Sequence, residues 1–176
     1  MAETTYLVAA FACAGVGAYW DCRTRRIPNW LTASAFVLGS ALHGLLGGWR
    51  DILTAMLAGL VAGTVFLVFF LAGGMGGGDV KLIAAVTACA GWDHVVTILI
   101  ATALAGGLLA LVLAVAGRKL RQTLSNVLEL VIYHSAAGLR PHPGLNLDNP
   151  ETLRLPYGIA IGVGTGMALV GLLMEH

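Results

Sequence analysis

Apolar residues run along this chain of 176 residues in six blocks, at about 5–20, 31–46, 52–72, 80–92, 95–117 and 155–173, with polar residues and glycines between them. A helix that crosses the hydrocarbon core of a bilayer needs about 20 apolar residues, with roughly 17–25 usual. The third, fifth and sixth blocks meet that length. The first and second fall slightly short, and the fourth is clearly short. That fourth block reaches span length only by burying part of the glycine run before it, or it sits inside the bundle. The pattern predicts an all-α fold: a polytopic membrane helix bundle of about six transmembrane helices, in one domain over 1–176.

A longer polar interval, the linker at about 118–154, separates the last two blocks. In its first half Leu120, Leu124, Val127, Leu128, Val131 and Ile132 recur at helical spacing, interleaved with Arg121, Gln122, Asn126 and Glu129. That alternation predicts an amphipathic helix lying at a membrane surface. The second half, Pro141-His142-Pro143-Gly144 through Asp148-Asn149-Pro150, is turn-rich and reads as irregular. Small residues at four-residue spacing, Gly59/Gly63 and Gly158/Gly162/Gly166, mark faces where helix backbones approach closely.

Composition agrees with the block pattern. Apolar residues make up 58% of the chain and charged residues 11%, against roughly 25% charged in soluble domains. The net charge of +1 and the clustering of the few basic residues give no nucleic-acid footprint. Met1-Ala2-Glu3 lacks the basic start of a cleavable signal peptide, so the first block is expected to remain as a helix. Cys13, Cys22 and Cys89 form no CxxC pair, so no zinc site, disulfide framework or other metal site is expected, and no cofactor.

The basic residues orient the bundle by the positive-inside rule. Arg23, Arg25, Arg26, Lys81, Arg118, Lys119, Arg121, Arg140 and Arg154 all fall on one side when six spans start from an outer N-terminus, and only Arg50 falls on the other. This arrangement makes the 118–154 linker cytoplasmic. It also places Asp21, at the end of the first block, and Asp79, at the start of the fourth, on the same cytoplasmic side.

Those two aspartates carry the candidate chemistry. An ionisable residue at the edge of a membrane span is costly and needs a reason. Asp79 follows Gly76-Gly77-Gly78 and precedes Val80-Lys81-Leu82-Ile83, where a helix N-cap belongs. Capping alone does not call for the glycines, which predict an active-site loop of closely approached backbone over Gly76–Gly78. At membrane depth, irregular backbone is tolerated only against protein or a water-filled cavity. Hydrolysis of an amide by water needs one group to take the water proton and another to protonate the leaving amine. Two carboxylates sharing a proton meet both needs.

Asp21-Cys22-Arg23-Thr24-Arg25-Arg26-Ile27-Pro28-Asn29 matches a D-x-R-x-x-x-I-P-N pattern, and Gly76-Gly77-Gly78-Asp79-Val80-Lys81-Leu82 a G-x-G-D-V-K-L pattern. In these segments the chain resembles the type IV prepilin peptidases, GxGD-type intramembrane aspartyl proteases, and most closely their short Tad/Flp-type forms. Leu155-Pro156-Tyr157-Gly158 resembles a third segment of that family. The resemblance implies that Asp21 and Asp79 are the catalytic pair. It implies a prepilin substrate with a short basic leader and an apolar helix, cut after a glycine at the cytoplasmic boundary of the bacterial inner membrane. Arg26, Pro28, Asn29 and Lys81 are candidate supporting residues, with Pro28 setting the entry into the second helix and Asn29 capping it. Larger members carry a tetracysteine zinc segment and also methylate the new N-terminus. This chain lacks those cysteines, so methyltransferase activity is not expected.

Other classes use the same residues differently. A proton-coupled transporter also employs intramembrane carboxylates and glycine-broken helices, but places them near the midplane with a path to both faces. A non-catalytic assembly partner of a secretion machine would tolerate loss of either aspartate. A cysteine protease built on Cys22 lacks an evident base, since His43 and His94 fall on the outer side and His134 and His142 read as surface residues of the linker.

Overall fold

The computed structural model describes residues 2–146 and 155–175; the linker end at 147–154, with Asp148, Asn149, Pro150 and Arg154, lies outside the described residues. Among those described, seven α-helices follow one another: α1 Ala2–Thr24, α2 Asn29–Gly47, α3 Trp49–Leu71, α4 Gly77–Ala90, α5 Val95–Ala116, α6 Leu120–Ala137 and α7 Tyr157–Glu175. A single 3-10 turn, Trp92–His94, joins α4 to α5. All six apolar blocks are helical, and α6 occupies the first half of the linker where the amphipathic spacing places it.

Helix ends follow local chemistry. α1 carries Glu3 in its first turn and Arg23 in its last, both matched to the helix dipole. Its last turn closes where the Arg25 amide donates to the Asp21 carbonyl at 2.9 Å. Pro28 then disfavours helical backbone at the residue before it and stands as the N-cap of α2, with φ −64° and ψ 136°. Asn29 is therefore the first helical residue and not the cap. No side-chain capping bond is made at this end. The expected role of Pro28 holds, and that of Asn29 as a cap is corrected.

α4 is the axis of the bundle, packed by α1, α2, α3 and α7, while α5 leans mainly on α7. Leu82, Ile83 and the residues Ala85–Ala90 are all buried, which makes α4 the most enclosed element. Among the described residues, four helical segments are long and apolar enough to cross a membrane: α2, α3, the stretch Trp92–Ala116 and α7. α1 has the length but carries charge near both ends, and α4 has only 14 residues. The fourth block is short because it lies inside the bundle, one of the two outcomes its length allows.

Close approach between helices depends on the glycine faces. A Cβ on Gly59 would stand 2.6 Å from the Ala84 carbonyl oxygen of α4, and one on Gly166 3.0 Å from the Phe11 ring of α1. A contact the four-residue spacing does not reveal is just as tight: a Cβ on Gly164 would lie 2.6 Å from the backbone nitrogen of Thr102 on α5. Backbone cannot yield as a flexible side chain does, so Gly164→Ala must separate α5 from α7. The expected cost is about 1–3 kcal/mol. Gly171→Ala, on the same helix with open space around it, should be neutral or slightly stabilising. Thermal unfolding in detergent micelles compares the two; equal midpoints would show that the α5–α7 contact gives way freely.

Candidate active site

Asp21 stands in the last turn of α1 and is buried, only 7% exposed. Carboxylates at a helix C-terminus face the negative end of the dipole, so a compensating donor is needed. The Gly158 amide of α7 supplies it, donating to Asp21 Oδ2 at 2.9 Å. Gly158 is the second residue of α7, and its N–H is among those a helix leaves without an internal partner. A side chain at that position would make its neighbours give way. A Cβ there would sit 3.1 Å from both Ala18 Cα and Asp21 Cβ.

Asp79 stands in the first turn of α4, partly buried. Its carboxylate Oδ2 accepts the Gly76 amide at 3.2 Å, while the Asp79 and Val80 amides donate to the Gly76 carbonyl at 3.1 and 3.4 Å. Gly76 is therefore the N-cap and Asp79 the third helical residue, so the expected cap position of Asp79 is corrected by three residues. The loop also lies earlier than expected. Gly77 and Gly78 are wound into α4, because the carboxylate reaching back to Gly76 starts the helix before them; the non-helical connection runs from 72 to 76.

The two sequence segments meet in space. Asp21 and Asp79 are near enough for one carboxylate to act electrostatically on the other. Beside them, a Cβ on Gly78 would stand 3.3 Å from Ile27 Cβ. At the outer edge Lys81 Nζ donates to Asn29 Oδ1 at 2.9 Å, tying α4 to α2. Lys81 and Asn29 thus bind each other. Arg26 is exposed, and its carbonyl accepts the Thr24 hydroxyl at 2.9 Å. Neither Arg26 nor Lys81 forms an ion pair with Asp21 or Asp79 among the described residues.

Tyr157, next to Gly158, is a further member of this cluster that the sequence does not single out. It interacts electrostatically with Asp79. Its ring meets Phe66 edge-on at 5.9 Å, and a Cβ on Gly106 of α5 would lie 2.7 Å from its hydroxyl. Gly106 leaves the space that Tyr157 fills. The only prior signal was the segment Leu155-Pro156-Tyr157-Gly158, whose glycine also belongs to the small-residue face. Elsewhere, Cys22 is exposed, and Cys13 and Cys89 are buried. Among the described residues no cluster of three or more His, Cys, Asp or Glu could hold a metal ion.

What remains is a carboxylate pair at one end of a helix bundle, one member buried and the other partly buried, each fixed by a backbone amide. Residues 8–111, which include both aspartates and both segments, match the model of the type IV leader peptidase family. The chain belongs to that family. No curated protein and no solved structure gives a significant match. As a leader peptidase family member the protein is an aspartic-type peptidase, and its apolar helices make it a multi-pass membrane protein. The match ends within α5, so the Tyr157-Gly158 end of α7 lies beyond it.

If the Gly158 amide positions Asp21, adding a methyl there displaces the carboxylate without removing a reacting group. Gly158→Ala should lower peptidase activity by roughly 100-fold, the scale of a 1 Å misplacement, with the folded protein recovered at normal yield. Steady-state kinetics on a leader-bearing substrate measures the loss; full activity would detach Gly158 from the site.

Proposed function

We propose that this leader peptidase cuts the basic leader from type IV prepilin-like proteins at the cytoplasmic boundary of the bacterial inner membrane, with Asp21 and Asp79 as its catalytic pair. The observation that carries this reading is the convergence of the two aspartates from α1 and α4, within the family match and 58 positions apart in sequence (79 minus 21). One carboxylate takes a proton from water as the water oxygen attacks the scissile carbonyl carbon. The other, protonated, gives its proton to the leaving amine as the C–N bond breaks. The products are a leader ending in a carboxylate and a mature chain with a free amine.

The reading extends to topology. In it α1 and α4 cross with the other helices to make six spans, the N-terminus lies outside, and the Asp21/Asp79 end faces the cytoplasm. Support comes from the charge distribution: the Arg23–Arg26 cluster and Lys81 flank the aspartates, while Arg50 stands beside the α2–α3 turn at the other end. A substrate inserted with its basic leader inside and its apolar helix in the bilayer would present its junction at that depth. Both carboxylates lie at one end of the bundle, which favours hydrolysis at a boundary over a transport path through the midplane.

Asp21→Asn and Asp79→Asn should each lower cleavage of a prepilin in membranes by at least about 100-fold while leaving protein levels intact. Processing retained in either variant would sink the aspartyl mechanism. Chelators should leave the rate unchanged, and strong inhibition would reveal a metal requirement. Orientation has its own readout, because Cys22 is the exposed thiol beside Asp21. A membrane-impermeant maleimide should label it in inside-out vesicles and not in right-side-out ones; the reverse pattern would invert the topology.

A further inference from the structure

α6 is built the wrong way round for a helix of a soluble domain. Leu120, Leu124, Val127, Leu128, Val131 and Ile132 form one stripe and are all exposed, four of them by more than 60%. The partly covered positions, Thr123, Asn126, Leu130, Tyr133, His134 and Ala137, lie on the neighbouring flank, and no residue of the helix is fully buried. The protein therefore covers the more polar flank and leaves the apolar stripe open. Arg118, Lys119 and Arg121 stand at the start of the helix, directly after α5, whose outward Leu108, Leu111 and Val112 are likewise exposed. The one acidic residue of α6, Glu129, pairs with His142 on the side away from the stripe.

Behind α6 the chain returns as a folded strap. His142 is its hub and not a surface residue, with a side chain 14% exposed. Its Nδ1 accepts the Gly144 and Leu145 amides at 3.1 and 3.0 Å, its Nε2 meets Glu129 at 3.3 Å, and its ring packs edge-on against Tyr133. The Tyr133 hydroxyl donates to the Pro141 carbonyl at 3.4 Å. The far edge of this strap rests on the α3–α4 connection. A Cβ on Gly73 would stand 3.0 Å from Pro141 Cβ and 3.2 Å from Asn146 Cβ, and Gly73 has φ +78°. Only a glycine accepts both that backbone conformation and that contact without strain. Gly76, whose amide holds Asp79, is three residues further on.

We propose that α6 docks by its apolar stripe on a phospholipid surface with anionic headgroups, and that the His142 strap transmits this docking to the loop that presents Asp79. The occupant follows from two features: the stripe comes directly after α5 in the chain, whose outward leucines and valine are likewise exposed, and the basic cluster beside it complements anionic headgroups. The first part stands apart from the peptidase reading. The second rests on it only for its consequence, and neither readout below depends on cleavage.

In a Cys22→Ser background, where the remaining cysteines are buried, Leu128→Cys and Gln122→Cys are each labelled with an environment-sensitive fluorophore. The full chain is placed in phosphatidylcholine–phosphatidylglycerol vesicles. Aqueous iodide should quench the Gln122 probe several-fold more than the Leu128 probe, and a nitroxide on the lipid acyl chain should do the reverse. Omitting phosphatidylglycerol or raising salt should narrow the difference. Equal iodide quenching would overturn the docking, and so would a Leu128 probe shielded from iodide and lipid alike with cross-links between copies, which would make a second copy the occupant. A difference insensitive to phosphatidylglycerol and salt would overturn the anionic requirement. For the strap, a nitroxide on Gly74→Cys, an exposed position, should gain mobility when Val131→Glu is added. Unchanged mobility would overturn the coupling.

Discussion

With 14 residues, α4 rises about 21 Å and cannot by itself match a hydrocarbon core about 30 Å thick. It is instead enclosed by α1, α2, α3 and α7, and the rest of the architecture serves that enclosure. Small residues on the surrounding helices bring their backbones within reach: Gly59 against the Ala84 carbonyl, Gly63 against the Ala84 methyl, Gly17 beneath Leu82. Between helices in a bilayer, packing of this kind replaces the hydrophobic drive available in water. A short helix held centrally also ends early. Its N-terminal turn, with Asp79, then meets the ends of neighbouring helices and not their flanks.

That meeting of ends explains how two carboxylates are accommodated in so apolar a chain. Asp79 accepts the Gly76 amide at the start of α4, and Asp21 accepts the Gly158 amide at the start of α7. The N-termini of two helices thus converge on the pair, each with unsatisfied N–H groups and the positive end of a dipole. Asp21 needs this most, since it sits at the unfavourable end of α1. Of the candidate supporting cations, Lys81 engages Asn29 and Arg26 is exposed. Backbone donors hold both carboxylates in place.

Most of the helical layout was legible in the sequence because apolar continuity is a direct record of burial against protein or lipid. The six blocks and the amphipathic spacing of α6 each became a helix with ends shifted by a few residues. Pro28 marked the start of α2 because its constraint is local. The features that escaped are those set by partners distant in sequence. Asn29 looks like a cap until Lys81 is beside it, Asp79 looks like a cap until its carboxylate is seen reaching back to Gly76, and His142 looks like a surface residue until Glu129, Tyr133 and two amides surround it. The Gly164–Thr102 contact likewise leaves no spacing signal, because it comes from one helix meeting another at a single point.

The family match covers both carboxylates and stops at 111, yet the group that holds one of them comes from 158. A backbone amide carries no side-chain signature, and the only trace of its role is the absence of a side chain at Gly158, where any Cβ would press on Ala18 and Asp21. The same economy recurs at Gly106, which makes room for Tyr157, and at Gly73, which receives the strap. In this bundle glycines mark where other elements must come close to the site, and the two aspartates mark what they approach. The surroundings of the two carboxylates therefore include α7, through Gly158 and Tyr157, and α5, through Gly106, chain that lies partly or wholly beyond the matched segment.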